Sequence, residues 1–209
     1  AINSGPANLD GVAAMAGRLA DAFAALPGDV RLVDPAPVQK VDEEGRMRAV
    51  THGRHLVVSV RPETERRVIL TGHMDTVYAK DHPFQTCDWF DDDTLHGPGT
   101  ADMKGGLSLM LEGLIAYERG EPTLGYDVMI NSDEETGSLS SAALIAELAQ
   151  GKLAALTYEP GLPDGSMARA RPGSGNYAAV IHGRSAHAGR NPEDGRNAVV
   201  AAGDLALRL

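Results

Sequence analysis

Three apolar runs in this 209-residue sequence end in side chains that can bind a cation or carry a proton. "VILTG" (68–72) runs into His73 and Asp75, "VMINSD" (128–133) into Glu134 and Glu135, and "LAALTY" (153–158) into Glu159. A fourth group, Asp102, stands in the glycine-rich "GPGTADMKGG" (97–106), just before an apolar helical pattern. Gathering Asp102, Glu135 and Glu159 without a countercharge would cost several kcal/mol in repulsion and desolvation. One or two divalent cations would remove that cost. An imidazole among carboxylates suits zinc, cobalt or manganese better than calcium, which prefers an all-oxygen shell. Asp75 follows His73 by two residues, so on a strand it faces the same side. There it can accept the imidazole's other N–H and fix the ring of a metal-binding histidine. Each residue has an ordinary reading when taken alone. A strand-end histidine can be a satisfied polar group, "DEE" a solvated turn or helix start, and Glu159 a loop acid before Pro160. Four segments supplying metal-type groups at equivalent places are poorly explained by coincidence.

The elements that must position these residues are legible in the hydrophobic periodicity. Val12, Met15, Leu19, Phe23 and Leu26 recur at helical steps, with Asn8 or Asp10 as N-cap and Pro27-Gly28 as the stop. "HLVVSV" (55–60) and "RVILTG" (67–72) read as strands separated by the turn-forming "RPETER". A long polar loop (78–100) leads to a helix over 103–120 with Leu107, Met110, Leu111, Leu114 and Ile115 in one stripe. "YDVMIN" (126–131) is a strand, 138–151 a helix, and 153–158 another strand. Strands alternating with helices predict an α/β fold whose mainly parallel sheet is flanked by helices. Ligands of such sheets gather at the carboxyl ends of the strands, where His73, Glu135 and Glu159 lie.

After Pro160 the chain turns rich in glycine, proline and arginine over 161–177, which reads as a linker. Arg169 and Arg171 are assigned to it as solvated side chains. "YAAVIHG" (177–183) alternates like a half-buried strand, and the last segment (192–209) reads as a helix. One strand and one helix cannot close a core, so this second unit reads as incomplete. The expected division is 1–172 and 173–209.

The net charge of −10 argues against a nucleic-acid or anionic-membrane surface. No run approaches the roughly 18 apolar residues of a membrane span. Cys87 is the only cysteine, so a disulfide-stapled fold is excluded. These bounds predict a soluble, cytoplasmic protein, although an exported one whose leader has been removed would look the same. "DWFDDDTLHG" (88–97) lacks the spacing of a calcium loop and reads as a hairpin turn. His52, His55, His82 and His96 have no ligand-like neighbours in sequence.

"TGHMDTVY", "GPGTADMKGG", "NSDEETGS", "TYEPG" and "GRSAHAGRNPEDGRNAV", in this order over nearly the whole chain, resemble the co-catalytic zinc amidohydrolases. That family groups glutamate carboxypeptidases, aminoacylases, acetylornithine deacetylases and succinyl-diaminopimelate desuccinylases. "HMDTVY" and "SAHAG" look most similar to the glutamate carboxypeptidase branch. The resemblance implies a zinc-peptidase-like catalytic domain (1–172) and the start of a smaller α+β lid and dimerisation domain (173–209). It implies two zinc ions, with His73 and Glu159 on one, Glu135 on the other and Asp102 bridging. Asp75 would orient His73, and Glu134 would be the general base. His187 would reach the active site of the partner subunit of a homodimer and hold substrate. A cis peptide is implied after Asp102. The family's last ligand to the second zinc is a histidine C-terminal to the lid, beyond Leu209. The implied activity is hydrolysis of amide bonds in N-acyl amino acids or short peptides, carboxypeptidase-like. Alternatives are a deacylase of biosynthetic intermediates and an inactive metal-binding or dimerisation module.

Overall fold

The computed structural model describes residues 2–168, 173 and 175–209. It divides into two compact units, Ala1–Gln39 with Ala49–Arg169, and Lys40–Arg48 with Ala170–Leu209.

The first unit is built on a five-stranded sheet in the order β1 (Asp29–Val33), β4 (His55–Val60), β8 (Gly125–Asn131), β5 (Arg67–His73) and β9 (Ala155–Thr157). β5 pairs in parallel with β8 and β9, and β4 pairs antiparallel with β1 and β8. The sheet is therefore mixed, with its parallel half on the side of His73 and Glu159. β8 lies at its centre, and all seven of its residues are buried. Period-two alternation sends Leu56, Val58, Val60, Leu70, Val128 and Ile130 into the larger core, and Val57, Ile69 and Met129 into a smaller one. The first core is covered by helices α1 (Leu9–Phe23) and α2 (Gly105–Glu118), the second by α3 (Ala142–Ala149). Asn8 caps α1 by accepting the Gly11 N–H, and Val12, Met15, Ala16 and Phe23 form its buried stripe. In α2 the stripe is Leu107, Met110 and Leu114, with Leu111 and Ile115 half-buried beside it. Each fully buried aliphatic side chain of this kind contributes about 1.5–3 kcal/mol.

Some boundaries differ from the sequence expectations. Residues 138–141 form a turn, and the helix starts at Ala142. The strand expected over 153–158 pairs only through Ala155–Thr157 and is an exposed edge. The polar stretch 88–97 is a hairpin of β6 (Asp88–Trp89) and β7 (Leu95–His96), as expected.

In the second unit, residues 177–183 form no strand, contrary to their alternating pattern. Alternation needs a neighbour to pair with, and among the described residues the segment has no strand partner; an isolated bridge, Arg184 to Arg196, comes only after it. This unit also holds the tip of the hairpin β2 (Val38–Val41) and β3 (Met47–Val50), and helix α4 (Ala198–Arg208). Asn197 caps α4 through the N–H groups of Val199 and Val200. The expected boundary at 172–173, and Arg169 and Arg171, touch residues outside the described set. Among the described residues no helix is long and apolar enough to cross a membrane.

Candidate metal centre

His73 is the last residue of β5, and its side chain is 1% exposed. Its Nε2 faces a group of acids: Asp102 Oδ1 at 3.0 Å, Glu159 Oε1 at 3.7 Å and Glu134 Oε2 at 4.0 Å. Ligand atoms of His73, Asp102 and Glu135 lie within 4.8 Å of one another. The parallel pairs explain the convergence. His73 stands opposite Asn131 at the end of β8, and Thr71 opposite Thr157 on β9. The acids just beyond those strands therefore reach the same edge.

Asp102 arrives by a different route. Thr100–Lys104 is a wide turn, kinked at Asp102 and Met103, with the implied cis peptide between them. Gly99 enters it at φ +76°, a conformation that suits glycine. Met103 is fully buried and its Sδ accepts the His73 N–H at 3.2 Å, tying the turn to β5. Gly106, at the start of α2, lets the helix close on the backbone of Tyr158, next to Glu159.

Asp75 is completely buried just beyond the strand. His73 Nδ1 lies 3.0 Å from the Asp75 carbonyl oxygen and 3.4 Å from its carboxylate. The same carboxylate accepts the Glu134 N–H at 3.3 Å and the Glu135 N–H at 3.0 Å. Asp75 thus holds both the imidazole and the turn that carries the two glutamates, a second task that its sequence position did not reveal. Glu134–Thr136 form a single 3-10 turn, and the Glu134 side chain is 47% exposed, open to a substrate.

The electrostatics are those of a cation site. Burial pulls the His73 imidazole down, but hydrogen bonds and charges of Asp75 and Glu159 override it and hold the group up to about 11. Burial pushes the Glu134 carboxyl above its ordinary value; His73 opposes this, and Glu159, Asp75 and Asp102 add to it. Glu135 is raised in the same way, by burial first, against His73 and with Asp102, Asp75 and Glu134. The acids thus demand positive charge at Nε2, which a proton supplies when no metal does. One imidazole nitrogen facing carboxylates is also the donor set of zinc, cobalt or manganese. These residues fit a divalent cation.

Of the seven expected site residues, His73, Asp75, Asp102, Glu134, Glu135 and Glu159 are brought together in the first unit. His187 belongs to the second unit, where its Nδ1 accepts the Gly189 N–H at 3.1 Å in an exposed turn.

The comparisons with known proteins point the same way. The sequence profile of peptidase family M20/M25/M40 matches residues 69–202. Carboxypeptidase G2 of Pseudomonas sp. (strain RS-16) is 36% identical over 163 residues, covering 75% of this chain and 38% of that protein. Acetylornithine deacetylase of Proteus mirabilis (strain HI4320) is 29% identical over 157 residues, covering 71% of this chain and 38% of that protein. The chain therefore spans well under half the length of these relatives. Human carnosine dipeptidase 1 shares the fold with a TM-score of 0.62 at 19% identity, over 77% of this chain and 36% of that one. An M20 metallo-carboxypeptidase from Sulfolobus solfataricus does so with a TM-score of 0.58 at 17% identity, over 78% of this chain and 36% of that one. The profile match runs from β5, which carries His73, into α4, and with it this chain belongs to peptidase family M20/M25/M40.

Proposed function

We propose that this chain carries the catalytic centre of a metal-dependent hydrolase that cleaves an amide bond and releases an amino acid from an N-acyl or short peptidyl substrate. The observation that carries the proposal is the set of three acids around His73 Nε2, with Glu134 beside the ligand Glu135 in one turn. His73, Asp102, Glu135 and Glu159 would hold the cation, and the proposed complement is two zinc ions bridged by Asp102. Bound there, the metal would supply Lewis-acid polarisation of the scissile carbonyl and would lower the pKa of water from about 15.7 toward about 7.

Glu134 is assigned the proton transfers. Its Oε2 takes a proton from the attacking water and gives it to the departing amide nitrogen. A carboxylate beside the proposed ligand Glu135, and itself not needed as a ligand, is free to work as the base. Asp75 positions rather than reacts, through His73 and the amides of Glu134 and Glu135. For the second unit the proposal is the start of a lid and dimerisation domain from about residue 173, with His187 contributing to substrate binding in a homodimer.

Relatives that are a carboxypeptidase and acetylornithine deacetylases support the bond class, and the former supports carboxypeptidase-like specificity. A deacylase of biosynthetic intermediates is the second reading, favoured by the deacetylase relatives. Amino-acid release from N-acyl amino acids and dipeptides, measured on zinc-loaded protein, tests both. The expected result is release that Glu134→Gln lowers by about 10²–10⁴ while metal content stays. Zinc-loaded protein that releases nothing from either class would leave the inactive metal-binding module instead.

A further inference from the structure

We propose that His55 is a positioning residue that fixes the Glu134–Glu135 turn through Ser140 and Asp133. The inference rests on the reading of Glu134 as base and Glu135 as ligand. His55 opens β4 and is fully buried. β4 lies beside β8 in the sheet, so His55 comes up against the loop after β8. The Ser132 N–H points at His55 Nδ1 at 3.3 Å, while the Ser132 hydroxyl donates to the Gly53 carbonyl at 2.7 Å. If Nδ1 accepts, Nε2 carries the proton, and Nε2 lies 3.4 Å from Ser140 Oγ. That hydroxyl in turn donates to Asp133 Oδ2 at 2.8 Å. Burial pushes the His55 imidazole down, against the pull of Asp133, which keeps the ring neutral and the order of donors intact.

Asp133 is the last residue before the turn and is fully buried. Its carboxylate also accepts from the Ser140 N–H at 2.7 Å, Ser141 Oγ at 2.7 Å and Asn131 Nδ2 at 3.3 Å. Its carbonyl accepts from the N–H groups of Thr136 at 3.2 Å and Ser138 at 2.8 Å. The turn is thus clamped from both sides. Asp75 holds the amides of Glu134 and Glu135, and Asp133, anchored to His55, holds those of Thr136 and Ser138. This relay acts on the backbone of the turn, and the backbone sets where the two glutamate carboxylates stand. Hydrogen-bonded supports of this kind alter metal affinity by about 10–100-fold when removed.

The test is hydrogen exchange on the metal-free chain, with Co(II) absorption on the loaded chain. His55→Ala is expected to speed exchange of the Glu134, Glu135, Thr136 and Ser138 amides about tenfold, leaving the β8 amides of Asp127–Ile130 unchanged. His55→Gln, whose amide can donate to Ser140, is expected to recover most of that protection. Ser140→Ala, which deletes only the linking hydroxyl, is expected to loosen the same amides and serves should His55→Ala not fold. In the loaded chain, His55→Ala is expected to weaken Co(II) binding and alter its visible spectrum. Turn amides unmoved in His55→Ala and Ser140→Ala, or equal acceleration of turn and β8 amides, would overturn the proposal. Failure of His55→Gln to restore protection would do the same. Failure of the unaltered chain to bind Co(II) would sink the metal reading alone, since the exchange result needs no metal.

Discussion

Replacing Gly106 by alanine perturbs the centre from outside it. A Cβ on Gly106 would press on the Tyr158 carbonyl oxygen well inside the 3.0 Å that real Cβ atoms keep, and its next contacts would be Tyr158 C at 3.2 Å and Cβ at 3.3 Å. The obstacle is backbone, so no rotamer relieves it, and α2 must back away from β9 by most of an ångström. Asp102 precedes this helix and Glu159 comes directly after Tyr158, so the shift separates two proposed ligands. Overpacking of this kind costs about 1–3 kcal/mol, against which alanine returns about 0.5–1 kcal/mol of helix propensity. The net is a loss of up to about 2.5 kcal/mol, or a fall of up to about 10 °C in Tm for a domain of this size. Metal affinity should fall about 10–100-fold. Gly113, exposed on the same helix with nothing within 4 Å of its absent Cβ, is the matched control. Gly113→Ala should stabilise by about 0.5–1 kcal/mol and leave metal binding unchanged. The assays are thermal unfolding of the metal-free variants and zinc titration by calorimetry. Wild-type affinity in Gly106→Ala would refute the idea that this helix–strand contact sets the distance between Asp102 and Glu159.

Four further outcomes are expected from the geometry of the site and the sheet. Metal must displace the proton that His73 holds up to about 11, so zinc affinity should rise about tenfold per pH unit between about pH 6 and 8. Calorimetry in buffers of different ionisation enthalpy should find about one proton released, and a pH-independent affinity would contradict this. In the metal-free protein the raised pKa has the opposite consequence. Its contribution to stability is fully present below 6.5 and is lost as pH rises through about 11, which urea unfolding against pH would read. Glu134→Gln should keep the bound metal, measured by elemental analysis, while turnover falls by about 10²–10⁴. Asp127, 2% exposed, is paired with Arg67 at 2.7 Å and Lys152 at 2.9 Å, and accepts from Ser59 at 2.7 Å. Asp127→Asn should therefore cost about 3 kcal/mol in urea unfolding, with zinc affinity unchanged because the pair lies at the opposite end of β8 from the metal centre.

Most of the proposed ligand set is legible in the sequence because three of its four members sit where an apolar run stops, and a parallel sheet gathers such ends. His73, Glu135 and Glu159 are legible on that ground, and Asp102 through the glycines around it. Contacts that depend on strand order are not. β8 inserts between β4 and β5, so neither His55 beside Ser132 and Ser140 nor Arg67 beside Asp127 can be read from spacing along the chain. The one signal for His55 was a polar residue opening the mainly apolar strand HLVVSV. Gly106 was legible only as one of the glycines around Asp102, whereas its close approach to Tyr158 needs the fold. The alternation of 177–183 misled because a strand pattern states a preference for a partner without supplying one.

The proposed function stands on the strand ends and the Asp102 turn forming one metal centre. The most direct measurement is anomalous diffraction at the zinc edge from crystals grown with zinc. The expected result is a peak about 2.0–2.1 Å from His73 Nε2, with carboxylate oxygens of Asp102 and Glu159 at about 2.0–2.2 Å. A second, weaker peak should lie beyond Asp102, on Glu135. Zinc found elsewhere on the chain, with His73 still hydrogen-bonded to Asp102, would contradict it.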